Sequence, residues 1–286
     1  MKLGLVIPYR DREEHLKKFI PFITKFLKKK EIEYKIIVVN QDNKSNFNRA
    51  KLLNIGADYI FNEVDYLCFH DVDLIPIPTV DYTLDNNNIV YHNIGILADN
   101  KNNLIDEDNL IKNINEININ KIHFDYNYLN YNGIGGVTIL DKNIWKENPW
   151  NEIFSGWGYE DNEYYHRLKA KNYQIKKKNF KYISLHHHVL NDNSKNIIST
   201  LYFEFINFFK LQTNKVICHY LKNQYTMNKF KNQYLKIREN NYKINNVIKE
   251  KDYTLISVDF PERSLSIYII LKLIIYSFSV FYIFFY

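Results

Sequence analysis

Apolar residues follow a regular rhythm over the first quarter of the chain. Residues 3–8 form a continuous apolar run of strand length that ends at Pro8 and is followed at once by Arg10-Asp11-Arg12, which predicts a first buried strand. Between Glu13 and Lys29 the residues Leu16, Phe19, Ile20, Ile23 and Leu27 recur at three- and four-residue intervals, the spacing of an amphipathic helix. Residues 34–40 are a second β-rich run, so strand, helix and strand open a right-handed βαβ unit on a parallel sheet. Another helix is expected from about Phe47 to Gly56, with the glycine as its stop signal. A short strand over 66–69 then presents Asp71-Val72-Asp73 at its exposed end. The fold class is therefore α/β, with a mostly parallel central sheet flanked by helices, and ligands in such sheets collect at the carboxyl ends of strands.

Beyond this point the rhythm loosens. Residues 85–120 are dense in Asn and Asp, with short strand-like pieces such as Ile89-Val90-Tyr91, and are expected to be irregular surface. Residues 131–140 contain Gly133, Gly135 and Gly136 beside β-branched residues, which argues for backbone packed closely against a ligand or another strand. Lys176 to Lys178 read as a solvated basic face. No repeat or linker appears before the last stretch, 264–286, which is almost wholly apolar, with Lys272 its only charge, and long enough to span a bilayer. The expected organisation is one catalytic domain over 1–262 and a hydrophobic tail over 263–286. The tail is read as a membrane anchor, with a buried or partner-covered helix as the alternative.

Composition narrows the classes further. The 286 residues are 46% hydrophobic and 24% charged, a globular balance. The formal charge of +6 is scattered among Asn, Ile and Tyr rather than gathered in a stripe, so no nucleic-acid partner is implied. Two distant cysteines, Cys68 and Cys218, argue for free thiols in a reducing compartment. The apolar run after Met1 is too short for a signal peptide, so the expected location is the cytoplasmic side, with any membrane attachment through the tail.

Three groups of residues carry candidate chemistry. Asp71 and Asp73 stand two apart and, on an extended strand end, would project to one side, where a divalent cation would relieve their repulsion; the bland reading is a pair of acids capping a turn. In Gly156-Trp157-Gly158-Tyr159-Glu160-Asp161 an indole between glycines offers a flat face to a sugar ring, and a following carboxylate can serve as general base towards a hydroxyl. Equally, Trp157 could be core, and Glu160 with Asp161 could simply favour a helix N-terminus. His186-His187-His188 end an apolar run, and alternate histidines there can present imidazoles to a cation; carboxylate with imidazole suits Mn²⁺ better than Mg²⁺. His188 is favoured as ligand, His186 as the second.

Taken together these pieces resemble the β-1,4-galactosyltransferases, inverting enzymes of the GT-A nucleotide-diphospho-sugar transferase fold (glycosyltransferase family 7). The matching residues are Ile7-Pro8-Tyr9-Arg10-Asp11-Arg12 with Glu14-His15-Leu16, then Asn40-Gln41 and Phe47-Asn48-Arg49-Ala50-Lys51-Leu52-Leu53-Asn54-Ile55-Gly56. Asp71-Val72-Asp73-Leu74-Ile75-Pro76, Gly135-Gly136-Val137 and Gly156-Trp157-Gly158 with Glu160-Asp161 follow in the same order. The resemblance implies that Pro8, Arg10 and Arg12 hold the uridine and diphosphate, with Phe47 and Arg49 nearby and Asp71 also on the nucleotide. It further implies that Asp73 and His188 bind Mn²⁺, that Trp157 meets donor and acceptor, that Glu160 helps bind sugar and that Asp161 deprotonates the acceptor hydroxyl. Gly133, Gly135 and Gly136 would line the sugar site. The expected partners are a UDP-sugar donor, UDP-Gal or UDP-GalNAc, and a glycan or glycoconjugate acceptor.

Three departures from the family pattern bear on specificity. Gly133 stands where an aromatic residue usually screens the donor's C2 substituent, so an N-acetylated donor is expected to fit. Ser155 replaces a usual tryptophan and Asn162 a usual third acid, which touches acceptor choice. A hydrophobic tail appears in place of the family's N-terminal anchor and stem. Competing readings are a catalytically silent sugar-binding protein of the same fold and a GT-A transferase with another donor.

Overall fold

The computed structural model describes residues 1–43, 45–93, 111, 133–156, 158–178, 182–185, 211–223, 238 and 241–261. Strand β1 (Leu3–Tyr9), helix α1 (Glu13–Lys29), strand β2 (Tyr34–Gln41), helix α2 (Arg49–Ile60) and strand β3 (Tyr66–His70) form the first half of the core. β1 pairs parallel with both β2 and β3. Leu3, Leu5 and Ile7 pack with Phe19, Ile23 and Leu27 of α1 in one apolar layer, while Val6 joins Leu52, Leu53 and Ile55 of α2 in the other. Covering both faces is why these strands read as continuous apolar runs rather than alternating ones. Glu13 and Glu14 open α1, and Lys28 and Lys29 close it, charges that complement the helix dipole.

The remaining strands are β4 (Leu74–Pro76), β5 (Ile89–Asn93), β6 (Val137–Asp141), β7 (Gln174–Lys177), β8 (Tyr182–Ser184), β9 (Lys243–Lys249) and β10 (Thr254–Asp259). With helices α3 (Lys142–Glu147) and α4 (Glu160–Ala170) they complete an eight-stranded sheet in the order β7-β5-β6-β3-β1-β2-β10-β9, beside a separate β4-β8 pair. The α/β expectation holds, and parallel pairing is concentrated in β3-β1-β2-β10, while β6 joins β3 and β5 antiparallel and β9 joins β10 antiparallel.

Several sequence expectations are corrected. Gly56 does not stop α2, which runs on to Ile60; a Cβ at position 56 would lie 2.4 Å from Val6 Cγ1 and 2.9 Å from Val39 Cγ2, so this glycine allows the helix to approach the sheet. Ile89-Val90-Tyr91 is not irregular surface but part of β5, buried between β6 and β7. Lys176 and Lys177 are exposed on β7, as a solvated face requires, whereas Lys178 Nζ folds back to Thr83 O at 2.8 Å. Among the described residues no helix is long and apolar enough to cross a membrane, and residues 263–286 lie outside them.

Candidate active site

The carboxyl ends of β1, β2 and β3 meet at one edge of the sheet. Where β1 ends, the Arg10 guanidinium lies 5.2 Å from the Phe47 ring centre, and its Nη1 donates to Ser45 O at 2.6 Å. Where β2 ends, Gln41 Nε2 donates to Ser45 O at 3.2 Å and Asn46 O at 3.1 Å. Gln41 Oε1 accepts from Asn48 N at 3.0 Å. Asn48 caps α2 by accepting from Lys51 N at 3.0 Å, which satisfies one of the free donors of the first turn. These bonds hold Phe47 beside Arg10 and start α2 at Arg49. Pro8 is buried in β1, and Arg12 occupies the position just before α1.

Arg49 is the hinge of the arrangement. Its side chain is only 11% exposed, with Nε donating to Asp71 Oδ1 at 2.9 Å, Nη2 2.8 Å from the same oxygen and Nη1 3.8 Å from Glu160 Oε1. Trp150 lies beneath it, its ring centre 5.4 Å from the guanidinium carbon, and that indole packs on Tyr164 at 4.2 Å. Arg49 therefore joins the end of β3 to the start of α4. Sequence reasoning did not find Trp150, which follows Pro149 without any periodic or motif signal.

Asp71-Val72-Asp73 is a turn rather than an extended strand end, with Leu74 N donating to Asp71 O at 3.4 Å. Its base is held by His70, whose Nδ1 lies 2.7 Å from Asp71 O and Nε2 2.7 Å from the Tyr82 hydroxyl. Burial pushes the His70 imidazole down to about 4, so it stays neutral. Asp73 O accepts from Leu185 N at 2.7 Å, and β4 pairs with β8, which brings the chain to the Asp71–Asp73 turn immediately before His186. His186, His187 and His188 lie outside the described residues, as does Trp157. Among the described residues no three His, Cys, Asp or Glu side chains converge as a metal cluster.

On the facing side, Asp71 N donates to Gly136 O at 3.0 Å, docking the 133–136 turn against the end of β3. Gly133 is buried, and Gly136 has a φ of 75°, which favours glycine. A Cβ at Gly135 would lie 2.5 Å from Asp161 Oδ2, so the carboxylate rests directly on the glycine backbone. Glu160 and Asp161 are both buried in the first turn of α4. Burial, with the adjacent Asp161 charge adding to it and Arg49 opposing, pushes the Glu160 carboxyl up to about 7. Asp71, Glu160 and Asp161 thus share the field of one guanidinium.

Two family models match the chain: the N-terminal region of glycosyl transferase group 7 over residues 1–84, and the N-terminal domain of galactosyltransferase over residues 115–188. Among curated proteins, the β-1,4-galactosyltransferase 7 of Drosophila melanogaster is 29% identical over 175 residues, 61% of this chain and 47% of its own length. The human protein of the same name is 31% identical over 176 residues, 61% of this chain and 46% of its own length. This chain spans about half the length of the curated relatives it matches. A crystal structure of a mutant Drosophila β-1,4-galactosyltransferase 7 with manganese, UDP-Gal and xylobiose superposes with a TM-score of 0.60 at 23% identity, covering 92% of this chain and 95% of that one. The catalytic domain of the Drosophila enzyme with xylobiose gives 0.59 at 24% identity, with the same coverage. At these identities the likeness establishes a shared fold.

Proposed function

This chain belongs to the glycosyltransferase group 7 family, and from that premise we propose that it transfers galactose or N-acetylgalactosamine from a UDP-sugar to a glycan hydroxyl, with inversion at the anomeric carbon. The observation that carries the reading is Arg49, which ties the Asp71 turn to Glu160 while the neighbouring Asp161 lies against the Gly135 backbone. Pro8, Arg10, Arg12 and Phe47 receive the uridine and diphosphate. Glu160 binds the sugar and Trp157 meets both substrates. Asp161 takes the proton of the acceptor hydroxyl; the hydroxyl oxygen bonds to the anomeric carbon as the bond to UDP breaks on the opposite side.

Manganese accompanies UDP-Gal in the Drosophila complex named above. In this chain Asp73 and His188, with His186 as the second imidazole, would hold the ion. The fit is supported by the Leu185 N to Asp73 O bond, which delivers the residue before His186 to the turn, and by the carboxylate–imidazole set itself. When bound, the ion supplies positive charge to the diphosphate of the leaving group.

Donor choice is assigned to Gly133. With no side chain there, space beside the donor's C2 position admits an N-acetyl group, and Gly133→Tyr should penalise UDP-GalNAc far more than UDP-Gal. The deciding experiment is UDP release by the purified full chain with Mn²⁺, the two UDP-sugars, UDP-GlcNAc and UDP-Glc, and a panel of sugar acceptors. Turnover with a galactosyl donor is expected, and none with any donor overturns the reading. Asp161→Asn should stop transfer while UDP still binds, and Asp73→Ala should abolish both activity and Mn²⁺ response.

A further inference from the structure

We propose that Asn214, which lies beyond the residues that match the family models, is a positioning residue for the two carboxylates at the start of α4. Residues 211–223 are helical, and Ile217, Cys218 and Leu221 pack against Ile153 and Phe154. One face of this helix thereby lies along the segment that leads into α4. From that face the buried Asn214 Nδ2 donates to Ser155 O at 3.1 Å and to Gly158 O at 3.1 Å. The amide has two N–H groups and meets two carbonyls, so its orientation is fixed by its partners: an oxygen in that place would face two oxygens.

The backbone being clamped has little rigidity of its own. Gly156, Gly158 and Tyr159 have φ values of 78°, 94° and 74°, a left-handed path that costs a non-glycine residue energy. Tyr159 then begins α4 without a side-chain cap, its carbonyl accepting from Glu163 N at 3.0 Å. Gly156 N is tied to Phe47 O at 2.8 Å, and Leu211 Cδ1 lies 3.0 Å from where a Cβ at Gly158 would be. Asn214 thus holds the carbonyl one residue before Tyr159 and two before Glu160. A displaced turn would carry Glu160 and Asp161 with it, away from Arg49 and Gly135.

The inference rests on reading Asp161 as the base and Glu160 as the sugar-binding acid. The test is Asn214→Asp, nearly the same shape but with an oxygen turned towards both carbonyls, compared with wild type in the full-length protein. Transfer kcat should fall by at least about tenfold while the Kd for UDP, which is assigned to Pro8, Arg10, Arg12 and Phe47, stays within about twofold, because misplacing the base by a fraction of an ångström is enough. Backbone hydrogen exchange should rise selectively across 155–163. A variant with wild-type kcat and unchanged exchange over 155–163 overturns the proposal. So does a variant whose exchange rises throughout the molecule and whose UDP affinity falls in step with kcat, which marks a general folding role. Exchange is read without turnover, so if the wild type transfers no sugar the catalytic reading fails separately from the clamp.

Discussion

A glycine backbone in the site lies against a carboxylate. Asp161 Oδ2 lies 2.5 Å from where a Cβ at Gly135 would be. Gly135→Ala therefore has to push the carboxylate aside, and misplacement on this scale costs about 100-fold in rate. We expect kcat to fall by that order while the melting temperature moves little, because one short side chain can yield; steady-state kinetics beside a thermal scan checks the split. A residue like Gly135 can be flagged in the sequence by its Gly-Gly context, but not given its partner. Asp161 stands 26 positions away, and only the docking of the 133–136 turn onto the end of β3 brings the two together. Trp150 and Asn214 carried no sequence signal at all, since one supports a guanidinium and the other two carbonyls from distant parts of the chain.

Whole elements were legible to the extent that their pattern was local. α1 could be read because its buried stripe repeats within the helix, and β1 and β2 because strands covered on both faces are apolar throughout. The end of α2 could not, because Gly56 is explained by Val6 and Val39 on the strands below rather than by helix termination. Gly56→Ala sets a helix propensity gain of about 1 kcal/mol against an overpacked contact costing about 1–3 kcal/mol. At 2.4 Å from Val6 Cγ1 the clash wins, so a lower denaturation midpoint is expected in urea unfolding. Ile89-Val90-Tyr91 reads as strand-like, yet its setting predicts irregular surface, for a related reason: a short apolar piece inside an Asn-rich stretch becomes a buried strand, β5, only because β6 and β7 are there to pair with it. The Asp71–Asp73 pair was recognised as chemistry from its strand context, yet its turn geometry comes from the Leu74 N to Asp71 O bond and the His70 brace, both set by the tertiary fold.

At the scale of the molecule, buried titratable groups set opposing pH responses. His70 and His92 are both pushed down to about 4 by burial, so between about 6.5 and 4 the unfolded chain binds protons that the fold refuses. Their contribution is complete above about 6.5 and is lost as pH falls. Glu160, raised to about 7 from 4.5 by burial, works the other way: the fold holds a proton that the unfolded chain has released, so stability falls as pH rises from 4.5 to 7. Burial lowers His166 in the same sense as His70 and His92, and raises Asp71 in the same sense as Glu160; with three histidines against two acids, metal-free protein should be most stable near pH 6.5. Glu160→Gln should be the more stable form at pH 8, by about 1–3 kcal/mol, and should lose that advantage by pH 4.5. Melting temperatures across pH in EDTA measure both limbs. The order of strands in the sheet has a consequence for how the molecule is made. β2 is flanked by β1 on one side and by β10, residues 254–259, on the other, so every candidate site residue leaves the ribosome while one edge of Ile36-Ile37-Val38-Val39 still has no partner. That edge is apolar and free of proline, the kind that recruits other strands. A chain stopped at residue 250 should therefore be found in the pellet rather than as a smaller active enzyme, and nascent chains of intermediate length are where chaperone crosslinking should be strongest.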